Sequence, residues 1–268
     1  MNPVTVCARR LLGGAALVAA ALAVVSAARA RGQPGRAPLR ALFIGNSYMY
    51  FNDLPSVVGD LAKAAGERPF VAEEVLVGGS TLERHLAQGD ALKAIARRKW
   101  DVVIVQEQSV RPIDDPAAML RDMQTVAEAV KAAGARLVLY ETWAREAAPG
   151  MQDSLSHVYH RAARLTGGKP AHVGEAWAAF RSEEKVKAGA HSALFRNDGS
   201  HPSGAGTYLA ASVLYATLYG RTPVGLPPVT RRTGAQPPPG PPANAPHDTL
   251  PATLARRLQE LAWKAARQ

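Results

Sequence analysis

The feature that most constrains this chain is a rhythm: short, nearly continuous aliphatic runs alternate with longer stretches whose apolar residues recur every three or four positions. The runs Ala41 to Gly45, Phe70 to Val77, Asp101 to Gln106, Arg136 to Glu141 and Ala171 to Val173 have strand length. Leu54 to Ala65, Thr81 to Arg97, Pro116 to Ala133 and Met151 to Leu165 have helical spacing, and Gly66, Gly134 and Gly167 stand where helix C-caps belong. Strands apolar on both sides must be covered on both faces, and a helix between successive strands makes those strands parallel. The pattern predicts an α/β domain of three layers, α/β/α, built on a five-stranded parallel sheet. Ser203 to Tyr219, between Pro202 and Gly220, is apolar around most of its circumference and predicts a buried helix.

The two ends differ from this body, which spans residues 31–220. Residues 1–30 read as an export signal: Arg9 and Arg10 precede an apolar stretch from Leu11 to Val25, and Ala28-Arg29-Ala30 forms a small-x-small cleavage site. A membrane anchor needs about 20 apolar residues, so the stretch is expected to be removed, leaving a periplasmic or secreted protein that starts near Arg31. The single cysteine, Cys7, would leave with it, which excludes disulfides, a thiol nucleophile and thiolate metal sites in the mature chain. Residues 221–268 comprise a Pro- and Gly-rich linker, expected as an extended surface segment, and a terminal helix with Leu250, Leu254, Leu258 and Leu261 on one face. Docking of that helix on the body is favoured over membrane-surface binding.

The formal charge of +10 invites a nucleic-acid reading until it is divided. Removing Arg9, Arg10 and Arg29 leaves +7, and from Arg221 onward seven basic residues stand against Asp248 and Glu260. The body therefore carries only about +2, with no basic stripe interleaved with aromatics, and nucleic acid is not an expected partner.

Two short segments can carry chemistry. Ser47 follows the first strand run through Gly45 and Asn46, at the carboxyl edge where α/β sheets bind ligands. A neutral serine needs a base within hydrogen-bond reach, and on its own Gly-Asn-Ser is equally a turn or a cap. The second segment is Asp198-Gly-Ser-His201-Pro, ahead of the buried helix. Three-residue spacing in a turn lets the aspartate accept from Nδ1 and leave Nε2 free as a base, although Asp198 and Ser200 would also suit helix capping.

Together with Gly78-Gly79-Ser80-Thr81 after the second strand, these segments resemble the SGNH/GDSL hydrolases, in a Gly-Asn-Ser variant of that family's Gly-Asp-Ser, over roughly Arg40 to Tyr219. The resemblance implies a flavodoxin-like fold, a triad of Ser47, Asp198 and His201, and an oxyanion hole formed by the backbone N–H groups of Ser47 and Gly79. The family's third-block asparagine is replaced in Val105-Gln106-Glu107-Gln108-Ser109. Gln108 matches it best, with Gln106 as the competing choice; glutamine offers the same amide on a longer arm.

The implied activity is serine ester hydrolysis, with no metal or organic cofactor, on a small ester such as an acetylated carbohydrate. It should fall as the histidine protonates. A rival reading, prompted by the glutamine, is a non-catalytic exported binding protein on the same scaffold. Trp143, just past the fourth strand, is a candidate wall of the substrate pocket and equally a core residue. His157 and His160 read as a surface pair, and His85, His172 and His191 as isolated structural residues. Asn52 and Asp53 are expected to cap the helix that begins near Leu54.

Overall fold

The computed structural model describes Met1 and residues 37–184, 191–231 and 247–268. The export-signal reading of residues 1–30 and the Pro-rich residues 232–246 lie outside the described residues.

Five parallel strands, β1 (Leu39–Gly45), β2 (Phe70–Leu76), β3 (Val102–Val105), β4 (Arg136–Tyr140) and β5 (Lys169–Ala171), form one sheet in the order β2-β1-β3-β4-β5. The α/β/α architecture matches the expectation, and alternation along single strands shows why. On β1, Leu39, Ala41 and Phe43 enter one core with Val102, Ile104, Val138 and Tyr140. Leu42 and Ile44 enter a second core with Val103, Val105 and Leu139. The inner strands β1, β3 and β4 each feed two cores, so their sequences read as nearly continuously apolar.

The first core is closed by α2 (Leu54–Ala64), α8 (Val173–Glu183), α9 (Gly204–Tyr219) and α10 (Ala252–Ala265). The second is closed by α3 (Leu82–Gln88), α4 (Asp90–Arg97), α6 (Pro116–Ala132) and α7 (Met151–Thr166). Two short helices, α1 (Ser47–Tyr50) and α5 (Arg111–Asp114), follow β1 and β3.

Helix α9 is buried along nearly its whole length because α10 covers the side turned away from the sheet. Leu258, Leu261, Ala262 and Ala265 of α10 join the first core. Buried Gln259 fastens the connection: its Nε2 donates to Tyr208 Oη at 2.7 Å and Leu226 O at 2.8 Å, and its Oε1 accepts from Gly225 N. The flanks of the Pro-rich stretch are not a plain extended segment. Val229–Arg231 and His247–Thr249 (β6 and β7) pair antiparallel, a two-stranded ribbon outside the main sheet, where the ladder makes few demands on neighbouring prolines.

Three other details differ from the periodicity. The stretch Thr81 to Arg97 is two helices, because Gly89 takes a left-handed φ of 70° between α3 and α4. The fifth strand ends at Ala171, and Val173 opens α8, which the apolar pattern did not disclose. Asn52 is not part of the cap before α2; Asp53 alone accepts from Ser56 N at 3.3 Å.

Candidate active site

In a sheet of this order the chain leaves β1 toward β2 on one side and returns to β3 on the other, so the loops after β1 and β3 diverge and open a crevice. Ser47 lies on the first of these loops. Gly45 permits the approach of the two loops: a Cβ there would come within 2.7 Å of Gln106 Oε1. That same oxygen accepts from Asn46 N at 3.1 Å. The Asn46 side chain caps α1 by accepting from Tyr48 N at 3.2 Å, and its Nδ2 donates to Ser80 O at 3.0 Å. An ionised aspartate has no hydrogen to give Ser80, which gives asparagine a physical reason to precede this serine.

The histidine arrives from 154 positions away on a clamped loop. Phe195 and Pro202 form a β-bridge, Arg196 N donates to His201 O at 2.9 Å, and Ser203 caps α9. Asn52, with a left-handed φ of 55°, points its Nδ2 at Pro202 O (3.0 Å), Ser203 O (3.1 Å) and Thr207 Oγ1 (2.9 Å). It thereby ties the serine loop to the histidine loop. Phe51 lies tilted 4.5 Å from the His201 ring and Tyr48 meets it edge-on at 5.7 Å, which fixes the imidazole plane.

In that pose Ser47 Oγ lies 2.9 Å from His201 Nε2, and His201 Nδ1 lies 2.7 Å from Asp198 Oδ2. Asp198 Oδ1 accepts from the backbone N–H groups of Ser200 (2.9 Å) and His201 (2.8 Å). An ionised carboxylate only accepts, so Nδ1 carries the proton and Nε2 accepts from the serine hydroxyl. Desolvation opposes the Asp198 charge, but the imidazole and the two backbone donors outweigh it and hold the carboxyl down at about 2. The three groups stand in the relation of nucleophile, base and orienting acid.

Around the serine, Gly79 occupies the third position of a turn closed by Ser80 N donating to Val77 O at 3.0 Å. Its φ of 65° suits glycine, and a Cβ there would meet nothing within 4 Å. The two third-block glutamines are both engaged. Gln106 is 1% exposed, and besides accepting from Asn46 its Nε2 donates to Glu107 O. Gln108 is half-buried; its Oε1 accepts from Val110 N (2.9 Å) and Arg111 N (3.0 Å), while its Nε2 donates to Ser109 Oγ at 3.2 Å. One amide hydrogen of Gln108 is left for a further acceptor. Beneath them, burial pushes the Glu107 carboxyl up to about 7, against the backbone donors Gln108 and Leu82 and the charge of Arg111, and its Oε1 joins the second and third loops.

Of the two readings the sequence left open for Trp143, the structure takes the core one: it does not wall an open pocket. It is 1% exposed, stacked between Tyr48 (4.3 Å) and Trp177 (3.9 Å), and its Nε1 donates to Ser200 O at 3.0 Å. Each such aromatic pair is worth about 0.5–1.5 kcal/mol beyond its buried area, so the stack is a rigid floor under Tyr48 and the histidine loop.

Arg145 was missed by motif reading. Its guanidinium bridges Ser200 Oγ and Ser109 Oγ, and Ser200 Oγ also pairs with Tyr48 Oη at 2.9 Å. One side chain thus links the histidine loop to the Gln108 loop. Its position two residues past Trp143, at the carboxyl edge of β4, was the only signal in the sequence. Of the remaining histidines, His85 Nε2 donates to Gly45 O at 2.9 Å and His191 Nδ1 meets Glu146 at 2.6 Å, so neither is isolated. His157 is exposed, and His160 pairs not with it but with His172. A groove of about 570 Å³ bordered by Arg145, Glu146, Arg181, Asn197, Asp198 and Gly199 flanks the orienting carboxylate, although neither Ser47 nor His201 lines it.

A doubly covered parallel sheet with a serine, histidine and aspartate in hydrogen-bonded series at its carboxyl edge defines the class: a serine ester hydrolase. No protein-family model matches the chain, and no curated protein matches it in sequence. Solved structures do. A protein from Slackia heliotrinireducens assigned to the SGNH hydrolases is 30% identical over 68% of this chain and 100% of its own, with a TM-score of 0.56. A lipase/acylhydrolase from Enterococcus faecalis (14% identity, 68% and 96% coverage, TM-score 0.56) and an acetyl xylan esterase from Geobacillus stearothermophilus (17%, 66% and 92%, 0.52) share the fold. The chain belongs to the SGNH hydrolase family.

Proposed function

We propose that this hydrolase is an exported esterase that removes small acyl groups, acetyl foremost, from a carbohydrate, with Ser47 as nucleophile, His201 as base and Asp198 as its orienting partner. The observation that carries the reading is the unbroken series from Ser47 Oγ through the His201 ring to Asp198. His201 Nε2 takes the hydroxyl proton as Oγ attacks the ester carbonyl carbon. The resulting oxyanion is met by the N–H groups of Ser47 and Gly79 and by the spare amide hydrogen of Gln108. The imidazolium then returns the proton to the departing alkoxide, leaving an acyl-serine that water hydrolyses by the same route.

Export is supported by the leader pattern of residues 1–30. The carbohydrate assignment is supported by the recurrence of acetyl xylan esterases among proteins of this fold. Hydrolysis of p-nitrophenyl esters tests the acyl preference. The expected result is kcat/KM highest for acetate and at least about tenfold lower for octanoate, which is within the reach of a sterically closed pocket; a maximum at octanoate would replace the acetyl reading with a lipid-like substrate.

The oxyanion assignment makes a separate prediction. Gln108→Ala should lower kcat by about two to three orders of magnitude with little change in KM, the signature of a donor used only in the transition state. A change confined to KM would reassign Gln108 to holding the loop.

A further inference from the structure

Behind the catalytic edge, three elements bring four metal-ligating side chains together. Glu141 follows β4, His160 lies on α7, and His172 and Glu175 open α8. Their ligand atoms all lie within 4.8 Å of one another. His160 Nε2 is 3.3 Å from His172 Nδ1 and 2.9 Å from a Glu175 oxygen. His172 Nδ1 is 3.4 Å from that same oxygen and 3.5 Å from Glu141 Oε2. Nitrogen and oxygen donors at about 2.0–2.1 Å from a tetrahedral ion are separated by about 3.3 Å, so these four distances have the size of the edges of one coordination tetrahedron.

Two further observations point inward. Glu141 is fully buried, and among the described residues its Oε2 has no hydrogen-bond partner, its contact being a long ion pair with His172 Nδ1 at 3.5 Å. A buried carboxylate oxygen held only by so long a contact is costly and favours a closer cation. Its other oxygen is held by Gln152 Nε2 at 3.0 Å and Ser156 Oγ at 2.5 Å. Hydrogen bonds of this kind to a ligand's far oxygen are what orient ligands around bound metals.

We propose that Glu141, His160, His172 and Glu175 form a binding site for a divalent transition ion, zinc by donor set and geometry. Two imidazoles and two carboxylates suit zinc better than calcium or magnesium, which favour oxygen-only shells. Four protein ligands fill a tetrahedron and leave no open position, so the ion is structural. It would staple the end of β4 to α7 and α8, with Glu141 and Glu175 each two residues ahead of a tryptophan of the Trp143–Trp177 stack, and it takes no part in the serine chemistry.

The test uses the full chain stripped with chelator. One zinc per chain should bind and survive gel filtration, cobalt(II) should give the intense visible bands of a four-coordinate ion, and zinc at a hundredfold excess over Kd should raise Tm by roughly 5–10 °C. His160→Ala and Glu175→Gln, both at partly exposed positions, should each weaken zinc binding by at least about 10–100-fold, the loss typical of even an outer-shell partner. Zinc that fails to bind, a cobalt complex without those bands, or a His160→Ala protein with undiminished affinity would overturn the proposal in favour of a proton shared among these groups. Should either variant fail to fold, the cobalt spectrum of the unsubstituted chain decides. Turnover of p-nitrophenyl acetate by that chain, measured separately, keeps this outcome distinct from the esterase assignment.

Discussion

Replacing Ser47 by alanine is expected to lower kcat on p-nitrophenyl acetate by about a million-fold, to the residual rate that binding and the oxyanion donors sustain alone. The serine hydroxyl hydrogen-bonds to His201, and the loop around it is held by Asn46, Gln106 and Asn52 rather than by the hydroxyl. Folding should therefore be unaffected, and Tm should match that of the parent. Combining Ser47→Ala with His201→Ala should cost no more than either change alone, because the two groups perform one step. Additive losses, or a burst of nitrophenol from the alanine protein, would remove Ser47 from the mechanism.

The second large effect concerns the orienting acid. Asp198→Asn should lower kcat by about ten-thousand-fold while leaving the loop intact. The Asn oxygen can still accept from Ser200 N and His201 N, but its amide group would donate toward His201 Nδ1. Nδ1 must then accept, the ring proton moves to Nε2, and the nitrogen facing Ser47 can no longer take a proton. The pH profile separates this from simple loss of structure. Because the Asp198 carboxyl is held at about 2, its contribution is complete above its ordinary value of about 4 and is lost only as pH falls through about 2. With half of its side chain exposed, its share of stability is small after solvent screening. Near-neutral Tm should thus be nearly equal in parent and variant while their rates differ greatly; a variant of nearly parental rate would contradict an orienting role.

Several of these features were readable before any coordinates. The doubly apolar strands implied a sheet covered on both faces, and Leu42 and Phe43, adjacent on β1 but in opposite cores, show that implication met. The proximity of Asp198 to His201 is a property of one turn, so spacing alone made them candidates as a pair. Ser47 stood out because carboxyl ends of strands in such sheets face the crevice. Each inference rests on contacts within a few residues or on the periodicity of a single element.

What the tertiary structure decided lies between elements. Arg145 reaches Ser109 and Ser200 across 36 and 55 positions, and no local pattern marks that reach. Trp143 looked equally like pocket and core until Tyr48 and Trp177 closed on both of its faces. His160 was paired with His157 by helical spacing, yet the docking of α8 against α7 turned it toward His172 and Glu175. Sequence periodicity determines which face of an element is apolar. Strand order and helix docking decide which polar side chains then meet, because those meetings are fixed by the shared burial of many distant apolar faces and not by any residue in the pair.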